Sequence, residues 1–157
     1  MRLFDVIGPI MTGPSSSHTA GAVKIGLVTR AMLGGEPARA SILLHGSFAQ
    51  TGRGHGTDRA IVAGLLGMHP DDPRIPDSFT LAEQAGLSFS FTTGTLKNVH
   101  SNTAALSVEN AKGERLDVVA SSLGGGRIQI CRVDGIETGF SGGSNTLIVH
   151  NEDKPGC

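Results

Sequence analysis

Between Thr19 and Leu33 the apolar residues Ala20, Val23, Leu27, Val28, Ala31 and Met32 recur at three- and four-residue spacing, whereas beyond Leu87 the chain breaks into short strand-like runs. That change of period, helical first and extended afterwards, constrains the fold more than any other feature. Gly34-Gly35 ends the first helix, and Ser15, Ser16 or Ser17 supplies its N-cap. Arg39 to Gly46 reads as a strand through Ile42, Leu43 and Leu44, and Thr57 or Asp58 then caps a second helix containing Ala60, Ile61, Leu65 and Leu66. Asp71 to Pro76 is a polar, proline-marked excursion, and Thr80-Leu81-Ala82-Glu83 has the form of a capping box opening a short helix that Gly86 closes. Strands are expected at Leu87–Phe91, Thr103–Val108, Leu116–Ser121, Arg127–Val133 and Thr146–His150, with hairpin turns at Asn110–Gly113 and Asp134-Gly135. The order favours an α+β fold, a mixed and largely antiparallel sheet with helices packed on it, although the opening helix-strand-helix keeps a doubly wound α/β sheet in play.

The 157 residues suffice for one domain that buries its own core. With 23 glycines, six Phe and neither Trp nor Tyr, much of the packing has to come from aliphatic side chains and close backbone approach. The strand at Thr146–His150 and the polar turn to Cys157 read as the start of another unit, dividing the chain into 1–145 and 146–157. A net charge of -1 without a Lys and Arg cluster argues against nucleic acid as a partner. No apolar run approaches the roughly 20 residues that span a bilayer, and no signal-peptide apolar region opens the chain, so no membrane partner and a cytoplasmic location are expected. Two cysteines, Cys131 and Cys157, make neither a disulfide framework nor a zinc knuckle.

Two polar stretches carry the chemistry. Gly13-Pro14-Ser15-Ser16-Ser17-His18-Thr19 and Gly52-Arg53-Gly54-His55-Gly56-Thr57-Asp58 each read as a flexible loop that presents one histidine and runs into a helix. Hydroxyls and free backbone N–H groups at a helix start suit a carboxylate or phosphate, although ordinary capping accounts for the same residues. A histidine between two glycines is open to close approach, and its neutral imidazole suits proton abstraction; Asp58 or Arg53 is placed to orient it or to hold a substrate carboxylate. An exposed turn histidine is the plain alternative. Ser121-Ser122-Leu123-Gly124-Gly125-Gly126 is either an anion nest or a tight chain reversal, and His100-Ser101-Asn102-Thr103 either lines a cleft or is an ordinary loop. The histidines lack the close spacing of a metal site, so no metal ligand is assigned.

Phe4-Asp5-Val6-Ile7-Gly8-Pro9, the serine-histidine stretch through Gly21, His45-Gly46-Ser47-Phe48-Ala49 and Gly54-His55-Gly56-Thr57-Asp58 together closely resemble the beta chain of bacterial iron-sulfur-dependent L-serine dehydratase. The resemblance runs from Phe4 to the end, with His100-Ser101 where the family usually has a histidine-proline pair. It implies a lyase that converts L-serine to pyruvate and ammonia, with a [4Fe-4S] cluster acting as Lewis acid on the hydroxyl while a base removes the α-proton. The cluster is implied to lie on the partner alpha chain or alpha domain, none being bound by this chain alone. Carried over, His55 and His18 are the expected catalytic residues. Ser15, Ser16, Ser17, Thr19, Gly54, Thr57, Asp58, His100, Asn102, Gly124 and Gly125 are the expected substrate-binding set. The implied fold is similar to the allosteric substrate-binding domain of some phosphoglycerate dehydrogenases, and an ACT domain commonly follows a segment such as Thr146–Gly156.

The implied partners are the alpha chain and L-serine, with a homodimer left open. A regulatory domain that binds a small carboxylate or phosphate without doing chemistry is the alternative, and a dimerisation domain is a third reading.

Overall fold

A computed structural model describes residues 9–143 and residue 146, apart from the side chain of Arg53. Residues 147–157 and 1–8 lie outside the described residues, and with them most of the strand expected at Thr146–His150, the start of the Phe4–Ile10 stretch and Cys157.

Ser15 opens the first helical segment with an extended backbone, and its Oγ accepts the His18 backbone N–H at 3.1 Å. The cap therefore falls within the serine run, as its residue types require. A wide π-helical turn, Ser16–Ala20, leads without a break into α1, Gly21–Leu33, which ends on left-handed Gly34. Next come β1, Pro37–Gly46, then α2, Ser47–His55, and α3, Thr57–Leu65. A short 3-10 turn, Ile75–Asp77, precedes α4, Ser78–Gln84. The remaining strands are β2 (Ser88–Gly94), β3 (Asn102–Asn110), β4 (Arg115–Gly124), β5 (Arg127–Val133) and β6 (Ile136–Phe140).

The six strands form one sheet in the order β2-β1-β3-β4-β5-β6. β1 and β2 are parallel and every other neighbouring pair is antiparallel, so the α+β expectation holds and the doubly wound alternative does not. Parallel neighbours need a crossover, and the chain through α2, α3 and α4 supplies it. On the covered face Ala40, Ile42, Leu44, Ala104, Leu106, Val108, Val118, Ala120, Ile128 and Ile130 are buried. α1 lies across β3, β4 and β5, with α3 beside it. The two helices cross where Gly26 meets Gly64: a Cβ at 64 would stand 2.1 Å from the Val23 carbonyl oxygen, and one at 26 would stand 2.3 Å from that of Ile61. Backbone contact of this kind is how an aromatic-poor chain fills its interior.

Several local expectations are corrected. The stretch Gly52–His55 is the last part of α2, and only Gly56, at φ 68, separates it from α3. Burial of Phe48 at the head of α2 overrides the low helix propensity of its glycines. Neither Thr57 nor Asp58 caps α3, since both lie inside its first turn and Gly56 occupies the cap position. Thr80 likewise lies inside α4, which begins at Ser78 and has no side-chain cap bond. Gly86 does follow the end of α4, and the turns at Asn110–Gly113 and Asp134-Gly135 form as expected, the latter with both residues at positive φ and joining β5 to the short strand β6.

Candidate active site

The end of the sheet that carries His45-Gly46, Asn102-Thr103 and Ser121-Ser122 faces the π-helical turn and the start of α2. His18, half-buried on that turn, is held from both sides. Its Nδ1 lies 3.0 Å from Ser17 Oγ and 3.4 Å from Ser15 Oγ, and its Nε2 lies 3.0 Å from Ser47 Oγ. All these partners are hydroxyls, which donate or accept, so His18 is supported in either tautomer. Its ring meets Phe48 edge-on at 5.4 Å and that of His55 at 5.0 Å. Burial, and then the charge of His55, hold His18 below its ordinary pKa, so its neutral form is favoured.

His55 ends α2 and is exposed. Its Nδ1 lies 3.2 Å from the Thr51 carbonyl oxygen one turn earlier. A carbonyl can only accept, so Nδ1 carries the proton and Nε2 of the neutral ring is a bare lone pair with no partner among the described residues. Thr19 Oγ1 donates to the His55 carbonyl at 3.2 Å, tying the two histidine-bearing segments together, and Thr51 Oγ1 donates to the Ser47 carbonyl at 2.8 Å.

The expected residues divide. Ser15, Ser17, His18, Thr19 and His55 come together, with Ser16 in the same turn and Gly54 exposed beside His55. Thr57 is fully buried beneath them, and its Oγ1 has no partner among the described residues. Asp58 faces elsewhere. It lines a cleft with Phe48, Phe79 and Phe91, and its Oδ1 accepts the Arg59 N–H at 2.8 Å; the group orienting His55 is the Thr51 carbonyl. His100 and Asn102 sit at the rim, where the Ser101 carbonyl accepts the Ser47 N–H at 2.8 Å. The His100 ring lines a cleft with Cys131 and Arg132, and its Nδ1 accepts the Asn102 N–H at 3.1 Å. Gly124 and Gly125 form the β4–β5 turn with Gly126, which lies against Pro9 and Lys24. Ser47 and Thr51 escaped the sequence reading, because their partners depend on a helix whose glycines read as a loop.

The donors present do not fit a [4Fe-4S] cluster held by this chain alone. Such a cluster takes several thiolates, and the chain has two cysteines, of which Cys131 stands on β5 with its Sγ 3.3 Å from Ser121 Oγ. Among the described residues no three His, Cys, Asp or Glu side chains converge as metal ligands. The histidine pair is suited instead to moving a proton, with an exposed base beside a neutral imidazole and serine hydroxyls around both.

The family described as serine dehydratase beta chain matches residues 3–85. The L-serine dehydratase beta chain of Peptoniphilus asaccharolyticus is 47% identical over 154 residues, covering 98% of this chain and 69% of that protein. This chain belongs to the serine dehydratase beta chain family. A second relative, the probable L-serine dehydratase beta chain of Bacillus subtilis, is 45% identical across 98% of this chain and 70% of its own length. L-serine dehydratase 2 of Escherichia coli is 43% identical over 77 residues, which are 45% of this chain and 16% of that protein. The family match spans π turn, α1, α2 and α3, the segments that carry His18 and His55. Among the described residues no helix is long and apolar enough to cross a membrane.

Proposed function

We propose that this chain is the beta component of an L-serine ammonia-lyase, and that its His18–His55 pair forms one wall of an active site completed by an alpha chain or domain. In this reading residues 1–145 are the beta-chain domain, and 146–157 begin a further unit. The iron-sulfur cluster implied for the enzyme is held by the alpha component, and the enzyme works in the cytoplasm. The observation that carries the reading is the fixed tautomer of His55, whose Nδ1 proton is engaged by the Thr51 carbonyl and whose Nε2 is left bare beside a neutral His18.

His55 Nε2 takes the α-proton of L-serine, the Cβ–O bond breaks, and water and 2-aminoacrylate result. The enamine tautomerises to an imine, which water hydrolyses to pyruvate and ammonia, so no oxidant or reductant is consumed. Ser15, Ser17 and Ser47 hold His18 in place, and their hydroxyls are available to the substrate carboxylate.

Anaerobic reconstitution with a cluster-loaded alpha chain, followed by pyruvate release from L-serine, tests this reading. His55→Ala, at an exposed position, should leave the fold intact and lower kcat by roughly 100- to 10,000-fold. Turnover of the variant within a few-fold of wild type at saturating serine sinks the assignment. An alpha chain that works equally well without this protein sinks the shared site.

A further inference from the structure

Ser122 is fully buried on β4, on the covered face by alternation with Val118 and Ala120, and its Oγ has no hydrogen-bond partner among the described residues. An orphaned buried hydroxyl is disfavoured, so folding stability alone does not call for serine here. The side chain is turned toward Gly21, the first residue of α1, which directly follows the turn that carries His18. Gly21 has ordinary right-handed helical angles, φ -64 and ψ -40, and is therefore not required for its backbone conformation. It is required for room. A Cβ at position 21 would lie 2.0 Å from Ser122 Oγ and 2.8 Å from Ser122 Cβ. Rotating the hydroxyl relieves the first clash but not the second, because the Cβ is fixed to the strand.

We propose that Gly21 and Ser122 are positioning residues, which seat the start of α1 on β4 and thereby fix His18 in its place beside His55 and Ser47. The inference rests on the reading that His18 belongs to the active site. The Gly21 N–H donates to the Ser16 carbonyl, so a displaced Gly21 drags the π-helical turn with it. The turn in turn holds Ser15, Ser17 and Thr19 in their bonds to His18 and to the His55 carbonyl. Among the described residues the titratable side chain that faces His18 is His55 from α2; its other neighbours are Phe48 and hydroxyls.

The test combines Gly21→Ala, Ser122→Gly and the double variant, each as the full chain and as the reconstituted enzyme. In Gly21→Ala the loosened turn exposes His18, and its imidazole titration followed by NMR should move up toward the ordinary histidine value. The kcat should fall by about 100-fold, as expected for a displacement of about 1 Å at a catalytic group. In Gly21→Ala/Ser122→Gly the space is restored, so the His18 midpoint should return to that of the wild type and kcat should recover by at least about tenfold. Loss of stability with an unmoved His18 midpoint, or a double variant no better than the single one, overturns the proposal. Should Gly21→Ala not fold, refolding of the double variant with a wild-type His18 titration supports the proposal, and continued misfolding overturns it. The NMR arm does not depend on turnover. A His18 midpoint that moves and is rescued, in a reconstituted enzyme that has no activity, leaves the positioning role standing and removes the functional reading.

Discussion

Gly64→Ala puts a methyl group at the crossing of α1 and α3, 2.1 Å from the Val23 carbonyl oxygen, 2.8 Å from the Leu27 nitrogen and 2.9 Å from Gly26 Cα. All three atoms are backbone, so no side chain can rotate away and the helices must separate. Overpacking of a tight core costs about 1–3 kcal/mol, and the rigid obstacle places this site at the upper end. Alanine returns about 1 kcal/mol of helix propensity, which leaves a net loss of about 2 kcal/mol. For a chain of this length that corresponds to about 4–8 °C in Tm. Urea unfolding followed by circular dichroism, with calorimetry alongside, measures both quantities. Gly54→Ala is the matched control. Gly54 is also helical, but nothing lies within 4 Å of its Cβ position, so alanine there should stabilise by about 0.5–1 kcal/mol. If Gly64→Ala behaves like Gly54→Ala, the backbone contact is not setting the helix spacing and the reasoning is refuted.

Two further outcomes follow from contacts away from the site. The Arg59 guanidinium stands over the Phe79 ring at 4.9 Å and also donates to the Pro76 carbonyl, and Phe79 in turn lies 4.9 Å from Phe89. Arg59→Ala should cost about 1 kcal/mol, and a double-mutant cycle with Phe79→Leu should give a coupling of about 0.5–1 kcal/mol; zero coupling dismisses the cation–π contact. Hydrogen bonds from the Arg74 side chain and backbone hold the Asp72 carboxyl down at about 2, below its ordinary 3.8. A depressed carboxylate stabilises the fold above its unfolded pKa and loses that contribution as pH falls through its folded one. The stability difference between wild type and Asp72→Asn should therefore hold steady near neutrality and close as pH falls from about 4 to about 2. Unfolding curves across that range that keep a constant difference contradict the assignment.

The parts of the fold legible in the sequence are those governed by local physics. The three- and four-residue spacing from Ala20 to Met32 identifies α1, the serine run contains its cap, and Asp134-Gly135 supplies the two positive φ values that join β5 to its neighbour. What escaped depends on distant partners. α2 looks like a loop because Gly52, Gly54 and Gly56 disfavour a helix, and it forms because Phe48 is buried and the Ser47 N–H finds the Ser101 carbonyl. β6, with its largely exposed residues, carries no periodic signal and exists through pairing with β5. The parallel match of β1 to β2 leaves no mark on either segment alone. At the site, His18 and His55 were visible as residue types in polar, glycine-bordered stretches. Their settings are not, because Ser47 holds the His18 ring and the Thr51 carbonyl sets the His55 tautomer through contacts that only the folded helix creates.

The position of β1 between β2 and β3 bears on the order in which the chain folds. From β3 to β6 each strand pairs with the next along the chain, through short hairpins whose loop-closure cost is small. β1 has no such near partner. Its neighbours β2 and β3 are both separated from it along the chain by the three helices of the crossover. Non-local pairing of this kind is the slow part of folding. His45-Gly46 at the end of β1 leads directly into Ser47, the residue that grips His18, so the imidazole pair depends on the non-local pairing of β1. An incompletely folded chain can thus hold a finished meander and still lack its chemistry.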